Sequence, residues 1–185
     1  MKDTTFRTAA FALVALAAAL SASAGSQTFR DAQGRSVGTA TVSGNQTTFR
    51  DSQGRSKGTA TVSGNQTTYR DEQGRSKATA TVSGNQTTYR DSQGRLMGTA
   101  TKDSSGKVTY RDSQGRLQWT STTDSSGRTT YRDSQGRLMG TATRDSSGKV
   151  TYRDSQGRLQ WTSTTDSSGR TTYRDSQGRL MGNRQ

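Results

Sequence analysis

The chain has 185 residues, with 27 Lys and Arg against 14 Asp and Glu, no His, no Cys and no Pro, and only 25% of its residues are hydrophobic. Without imidazole or thiol it has no conventional catalytic triad, no thiol nucleophile and no nitrogen or sulfur metal set. With no disulfide and few apolar residues, it must draw stability from backbone hydrogen bonds and regular stacking in place of a large core, and its positive surplus favours polyanions.

In chain order, Lys2 and Arg7 precede an apolar run at 9–20, and Ala22-Ser23-Ala24 has the small-x-small pattern of a signal peptidase site. The reading is a signal peptide over 1–24, cleaved after Ala24. A bilayer span needs about 20 apolar residues, and no later stretch is apolar, so the mature chain is expected to carry no transmembrane segment. Its destination is then the periplasm, the cell surface or the exterior.

Residues 25–182 read as one repeat domain of eight units, with 183–185 as a short tail. The aromatic residues Phe29, Phe49, Tyr69, Tyr89, Tyr110, Tyr131, Tyr152 and Tyr173 recur every twenty residues and later every twenty-one, each followed by Arg-Asp-x-Gln-Gly-Arg. Segments 89–130 and 131–172 match except for Lys102 against Arg144, which points to duplication. The early units reverse through Ser43-Gly44-Asn45-Gln46, where Gly-Asn suits a two-residue hairpin loop. Later ones use Asp103-Ser104-Ser105-Gly106, an Asp-x-x-Gly turn with one more residue. The Arg-Asp-Ser-Gln-Gly-Arg hexapeptide is itself a turn, because Asp at its head accepts backbone hydrogen bonds and Gly takes a left-handed exit. Runs such as 87–89 and 96–101, rich in threonine and aromatic residues with period-two alternation, are strands.

Pairing parity fixes the faces. A two-residue Gly44-Asn45 loop sets Ser43 against Gln46 and Ala40 against Phe49, while a four-residue loop at 91–94 sets Tyr89 against Leu96. Both place the aromatics, Leu96, Leu117, Leu138, Leu159, Leu180, Trp119, Trp161, Gly98 and Ala100 on one face. The opposite face takes the threonines, the arginines and Met97 or Lys57. A three-residue loop with a bulge is set aside because it would flip the face in every unit. The expected fold is all-β, with tandem two-stranded repeats forming a coiled antiparallel spiral or sheared barrel. The alternative is a β-solenoid with one flat coil per unit.

The elements TYRDSQGRL and DSSGRTTYRDSQGRL resemble the YD repeats of Rhs-type and teneurin-type proteins, in which an aromatic residue and Asp precede Gly-Arg-Leu. Here Arg stands between Tyr and Asp, and Ser36, Ser56 and Ser76 replace the Leu. The resemblance implies a spiralling β-sheet. The design of about twenty polar residues per unit is also similar to curli-type repeat proteins.

Two residue sets are candidates for function. Arg30, Arg35, Arg50, Arg55, Arg70, Arg75, Arg90, Arg95, Arg111, Arg116, Arg132 and Arg137 flank every turn and would form cationic rows for acidic polysaccharide, lipopolysaccharide or extracellular nucleic acid. Aromatics and arginines fall on opposite faces, which separates base stacking from phosphate contact. The second set is a Thr-x-Thr array on the arginine face: Thr39 and Thr41, Thr59 and Thr61, Thr79 and Thr81, Thr99 and Thr101, Thr120 and Thr122, Thr141 and Thr143, Thr162 and Thr164. Stacked at about 4.8 Å in a solenoid, it would be similar to the ice-binding face of Thr-x-Thr antifreeze proteins. Asp-Ser-Ser-Gly offers one carboxylate per loop, too few for a good calcium site, so no cofactor is expected. Near-identical units with strand edges also invite self-association. The functional expectation is an exported, non-enzymatic structural or adhesive repeat protein, a fibre or matrix component that binds polyanions, with ice binding as the alternative.

Overall fold

Each hexapeptide folds as a reversal closed by backbone hydrogen bonds between its own residues. In the turn at Asp91, the Gly94 amide donates to the Asp91 carbonyl at 3.0 Å, and the Asp91 amide donates to the Arg95 carbonyl at 3.0 Å. Gly94 holds φ at +78°, in the left-handed region that glycine enters without a Cβ penalty. The loop is therefore three residues closed by a glycine bulge, not the four-residue loop expected from sequence.

These turns link sixteen strands in the computed structural model, which describes residues 25–185. They are β1 (Gly25–Asp31), β2 (Ser36–Ser43), β3 (Gln46–Asp51), β4 (Ser56–Ser63), β5 (Gln66–Arg70), β6 (Ser76–Ser83), β7 (Gln86–Asp91) and β8 (Leu96–Lys102). The second half comprises β9 (Val108–Asp112), β10 (Leu117–Thr123), β11 (Arg128–Asp133), β12 (Leu138–Arg144), β13 (Val150–Asp154), β14 (Leu159–Thr165), β15 (Thr171–Asp175) and β16 (Leu180–Arg184). The signal-peptide reading falls on 1–24, outside the described residues. Every neighbouring pair is antiparallel, and β16 returns to β1 to close a barrel. Antiparallel closure excludes the solenoid. It also corrects the tail: Asn183 and Arg184 pair with Arg30 and Phe29, and the Gln185 amide and carbonyl bond to Thr28.

The early hairpins match the sequence reading, with Ser43 against Gln46 and Ala40 against Phe49. Gly44, at φ +56°, opens the two-residue loop. Asn45 then ties its loop to the next unit, its side-chain Nδ2 donating to the Val62 carbonyl at 2.8 Å. The hexapeptide hairpins differ. Arg90 pairs with Leu96, then a second bulge shifts the register so that Tyr89 pairs with Gly98. The glycine bulge flips the face and the second bulge flips it back, so the aromatics keep Gly98 and Ala100 as neighbours. Leucine does not join them. Leu96, Leu117, Leu138, Leu159 and Leu180 lie opposite Arg90, Arg111, Arg132, Arg153 and Arg174, on the arginine face. Met139 moves the other way and lines a shallow groove with Trp119, Tyr131 and Gly140.

Gly98 pairs with Tyr89 on one side and with Asp112, two residues beyond Tyr110, on the other. Each unit thus advances the register by about two residues, and eight units give a shear of about sixteen, equal to the strand number. That ratio tilts the strands by about 36°. Sixteen strands about 4.8 Å apart then give a circumference of about 95 Å and a backbone radius of about 15 Å. Opposite walls of so wide a barrel do not interdigitate. Accordingly, no large side chain among the described residues is fully buried, and the hydrophobic cluster runs along the wall through Ala60, Tyr69 and Ala80, flanked by Phe49, Ala78 and Tyr89.

Candidate cationic rim

All eight hexapeptide turns lie at one end of the barrel, because each closes the same kind of hairpin. The shear brings equivalent residues to the same height, about 12 Å apart around the rim. Each turn carries two arginines and one aspartate, and the structure separates the two arginines by role.

The second arginine is committed to the aspartate. Arg95 Nε donates to Asp91 Oδ2 at 2.7 Å, while the Gln93 and Arg95 amides donate to Asp91 Oδ1 at 2.9 and 3.0 Å. The same contact is made by Arg35, Arg55, Arg75, Arg116 and Arg137, and it continues through Arg158 and Arg179. The guanidinium of Arg95 and the amides around it hold the Asp91 carboxyl below the usual carboxylate range. At Asp71, partial burial pushes upward, but bonds from the Arg75 amide, the Arg75 guanidinium and Lys77 outweigh it and bring the value to about 2.

The first arginine has no carboxylate. Arg90 Nη1 donates to the Gly94 carbonyl of its own turn at 2.8 Å, and the same bond is made by Arg30, Arg50, Arg70, Arg111 and Arg132. Arg153 and Arg174 complete the ring of eight. None of these eight enters an ion pair among the described residues. One bond to a neutral carbonyl fixes each guanidinium without cancelling its charge, which leaves its other donors for a ligand. Lys57 and Lys77 add to this rim, although both approach Asp51 or Asp71, and Glu72 is its one further acid.

The opposite rim is built differently. Its later turns repeat the aspartate cap, with the Ser105 amide, the Ser105 hydroxyl and the Lys107 amide all donating to Asp103 Oδ1. There Lys102, Lys107, Arg128, Arg144, Lys149, Arg170 and Arg184 stand against Asp103, Asp124, Asp145 and Asp166. Most of the net positive charge therefore gathers at the hexapeptide end.

The threonine set lies on the arginine face, as expected, but it forms no continuous lattice. Thr39 has Thr28 on one side and Arg50 on the other, and Thr99 has Thr88 and Arg111. Thr59, Thr79, Thr120, Thr141 and Thr162 likewise each stand beside an arginine. The outer members Thr41, Thr61, Thr81, Thr101, Thr122, Thr143 and Thr164 pair with Thr48, Thr68, Thr88, Thr109, Thr130, Thr151 and Thr172. Hairpins interpose a strand between successive Thr-x-Thr strands, which doubles the separation of those strands to about 9.6 Å. An arginine also ends each short row of neighbouring threonines, as Arg70 does after Thr41, Thr48 and Thr59.

The aromatic face carries a feature that pattern reading does not single out. Trp119 and Trp161 occupy the position held by Gly98 and Gly140 in neighbouring units. Each stacks on the tyrosine before it, with ring centroids 3.5 Å apart for Tyr110 and Trp119 and 3.4 Å for Tyr152 and Trp161. Tyr131 and Tyr173 lean against the far sides of the indoles at 6.2 and 6.1 Å.

No family model and no curated protein matches the chain. Among solved structures, BamB from Moraxella catarrhalis is similar with a TM-score of 0.44 at 10% identity, covering 84% of this chain and 81% of that one. Alternansucrase in complex with isomaltononaose gives 0.19 at 17% identity over 77% of this chain, which spans 16% of that enzyme. The TCP10 domain of Danio rerio CPAP, in complex with a STIL peptide, gives 0.19 at 12% identity over 85% of this chain and 98% of that one.

Proposed function

We propose that the chain is an exported, non-enzymatic barrel whose cationic rim binds polyanions such as acidic polysaccharide, lipopolysaccharide or extracellular nucleic acid, in a structural or adhesive role. The observation that carries this reading is the ring of eight guanidinia anchored by carbonyls and unpaired with carboxylates. A spacing of about 12 Å slightly exceeds the Debye length at 0.1 M salt, so the ring survives its own repulsion, yet a chain of regularly spaced anions engages several members together.

The test compares two triple variants of equal net charge. Arg90→Gln, Arg111→Gln and Arg132→Gln remove three free guanidinia, whereas Arg95→Gln, Arg116→Gln and Arg137→Gln remove three that are paired. Heparin affinity is measured across a salt series, with circular dichroism to confirm folding. The first triple is expected to lose at least about tenfold in affinity and to flatten the dependence of log K on log salt by about two, the second to lose much less. Equal losses would mean that net charge alone drives binding and would sink the assignment to the rim.

A further inference from the structure

The β1–β16 seam repeats the pairing found inside the wall. Across the seam Gly182 pairs with Asp31, Asn183 with Arg30 and Arg184 with Phe29. Within the wall Gly98 pairs with Asp112, Thr99 with Arg111 and Ala100 with Tyr110, and Gly140, Thr141 and Ala142 do the same with Asp154, Arg153 and Tyr152. In register, β1 therefore follows β16 as though it opened a ninth unit. A ladder with this register does not distinguish β1 of the same chain from β1 of another.

Two further observations mark the seam as the weakest join. Its ladder has three strand pairs, extended by the hydrogen-bonded pair Thr28 and Gln185, where each internal ladder has four to six strand pairs and is extended in the same way by its turn. It is also where polar groups are left unsatisfied. The side-chain oxygens of Gln27 on β1 and Asn183 on β16 are buried and are the ones without a hydrogen-bond partner among the described residues. Asn183, 5% exposed, stands where other units place threonine, and Arg184 stands where they place alanine. A buried oxygen with no donor costs free energy that opening the seam recovers for as long as it stays open. The cost returns when an identical seam forms between copies, so it eases exchange without favouring either arrangement.

We infer that the β1–β16 seam is an exchange site at which the chain pairs head to tail with a second copy of itself, β16 of one copy adding to β1 of the next. Such a contact is heterologous and builds larger rings or open filaments, depending on whether the rotation closes. It is independent of the polyanion reading, because the guanidinium ring is present in either arrangement.

The absence of native cysteine makes the test clean. Arg30→Cys and Asn183→Cys variants are mixed in equal amounts under mild oxidation, and disulfide-linked heterodimer is counted by mass. The control mixes Thr99→Cys with Arg111→Cys, the equivalent position of an internal ladder. Exchange predicts at least about tenfold more heterodimer from the seam pair than from the control, while one dilute chain carrying both Arg30→Cys and Asn183→Cys closes on itself. Equal yields from the two mixtures, or a double variant that forms no internal disulfide, would overturn the inference.

Discussion

At the residue scale, each turn rests on an aspartate that accepts three bonds and a glycine that accepts a left-handed backbone. Replacing Gly94 by alanine puts a Cβ into that conformation, and thermal unfolding should show a loss of about 1 kcal/mol. Space is not the difficulty there, since nothing stands within 4 Å of the added atom. The ionisable groups set an acid limit and an alkaline one. The aspartates are depressed in the fold, so their contribution is complete above about 4, the ordinary aspartate value, and is lost as pH falls toward the folded value, about 2 for Asp71. Tyr69 moves oppositely: burial, with some help from the neighbouring Tyr89, pushes it up to about 12. Its contribution is present below about 10 and is lost as pH rises through about 12. A pH series of melting temperatures should therefore show a plateau between roughly 4 and 10, with a fall on both sides. A fall already present at pH 6 would contradict the depressed aspartates.

At the scale of the element, the hairpin is the unit of both stability and error. Trp119 and Trp161 stack in near-identical surroundings four strands apart, a separation of about 19 Å measured across the strands. Trp119→Ala and Trp161→Ala should each cost about 2 kcal/mol by denaturant titration, and the double variant should cost their sum to within about 0.5 kcal/mol. A marked departure from additivity would mean that the two aromatic triplets communicate through the wall. Hairpins were also the most legible part of the sequence. Local chemistry decides a two-residue Gly-Asn loop, and the pairing of Ala40 with Phe49 follows from it by counting. Counting failed at Leu96, because the hexapeptide hairpin holds two bulges that cancel, and no residue signals the second. Nor did composition divide the arginines. Only the turn geometry carries Arg95 Nε to the Asp91 carboxylate and leaves Arg90 on a carbonyl.

At the scale of the whole molecule, closure depends on a quantity that no single unit displays. The register advance accumulates over eight units before β16 meets β1, so the residues at 183–185 read as a tail although they form the join. The equality of shear and strand number has a further result. Copying or deleting one 42-residue segment, such as 89–130, changes the wall by four strands without altering the tilt. The girth then changes by about 24 Å, and the ring of cations gains or loses two members. Copy number is thus a gauge of girth: each added or deleted segment resizes the circle in a fixed step before any side chain is altered.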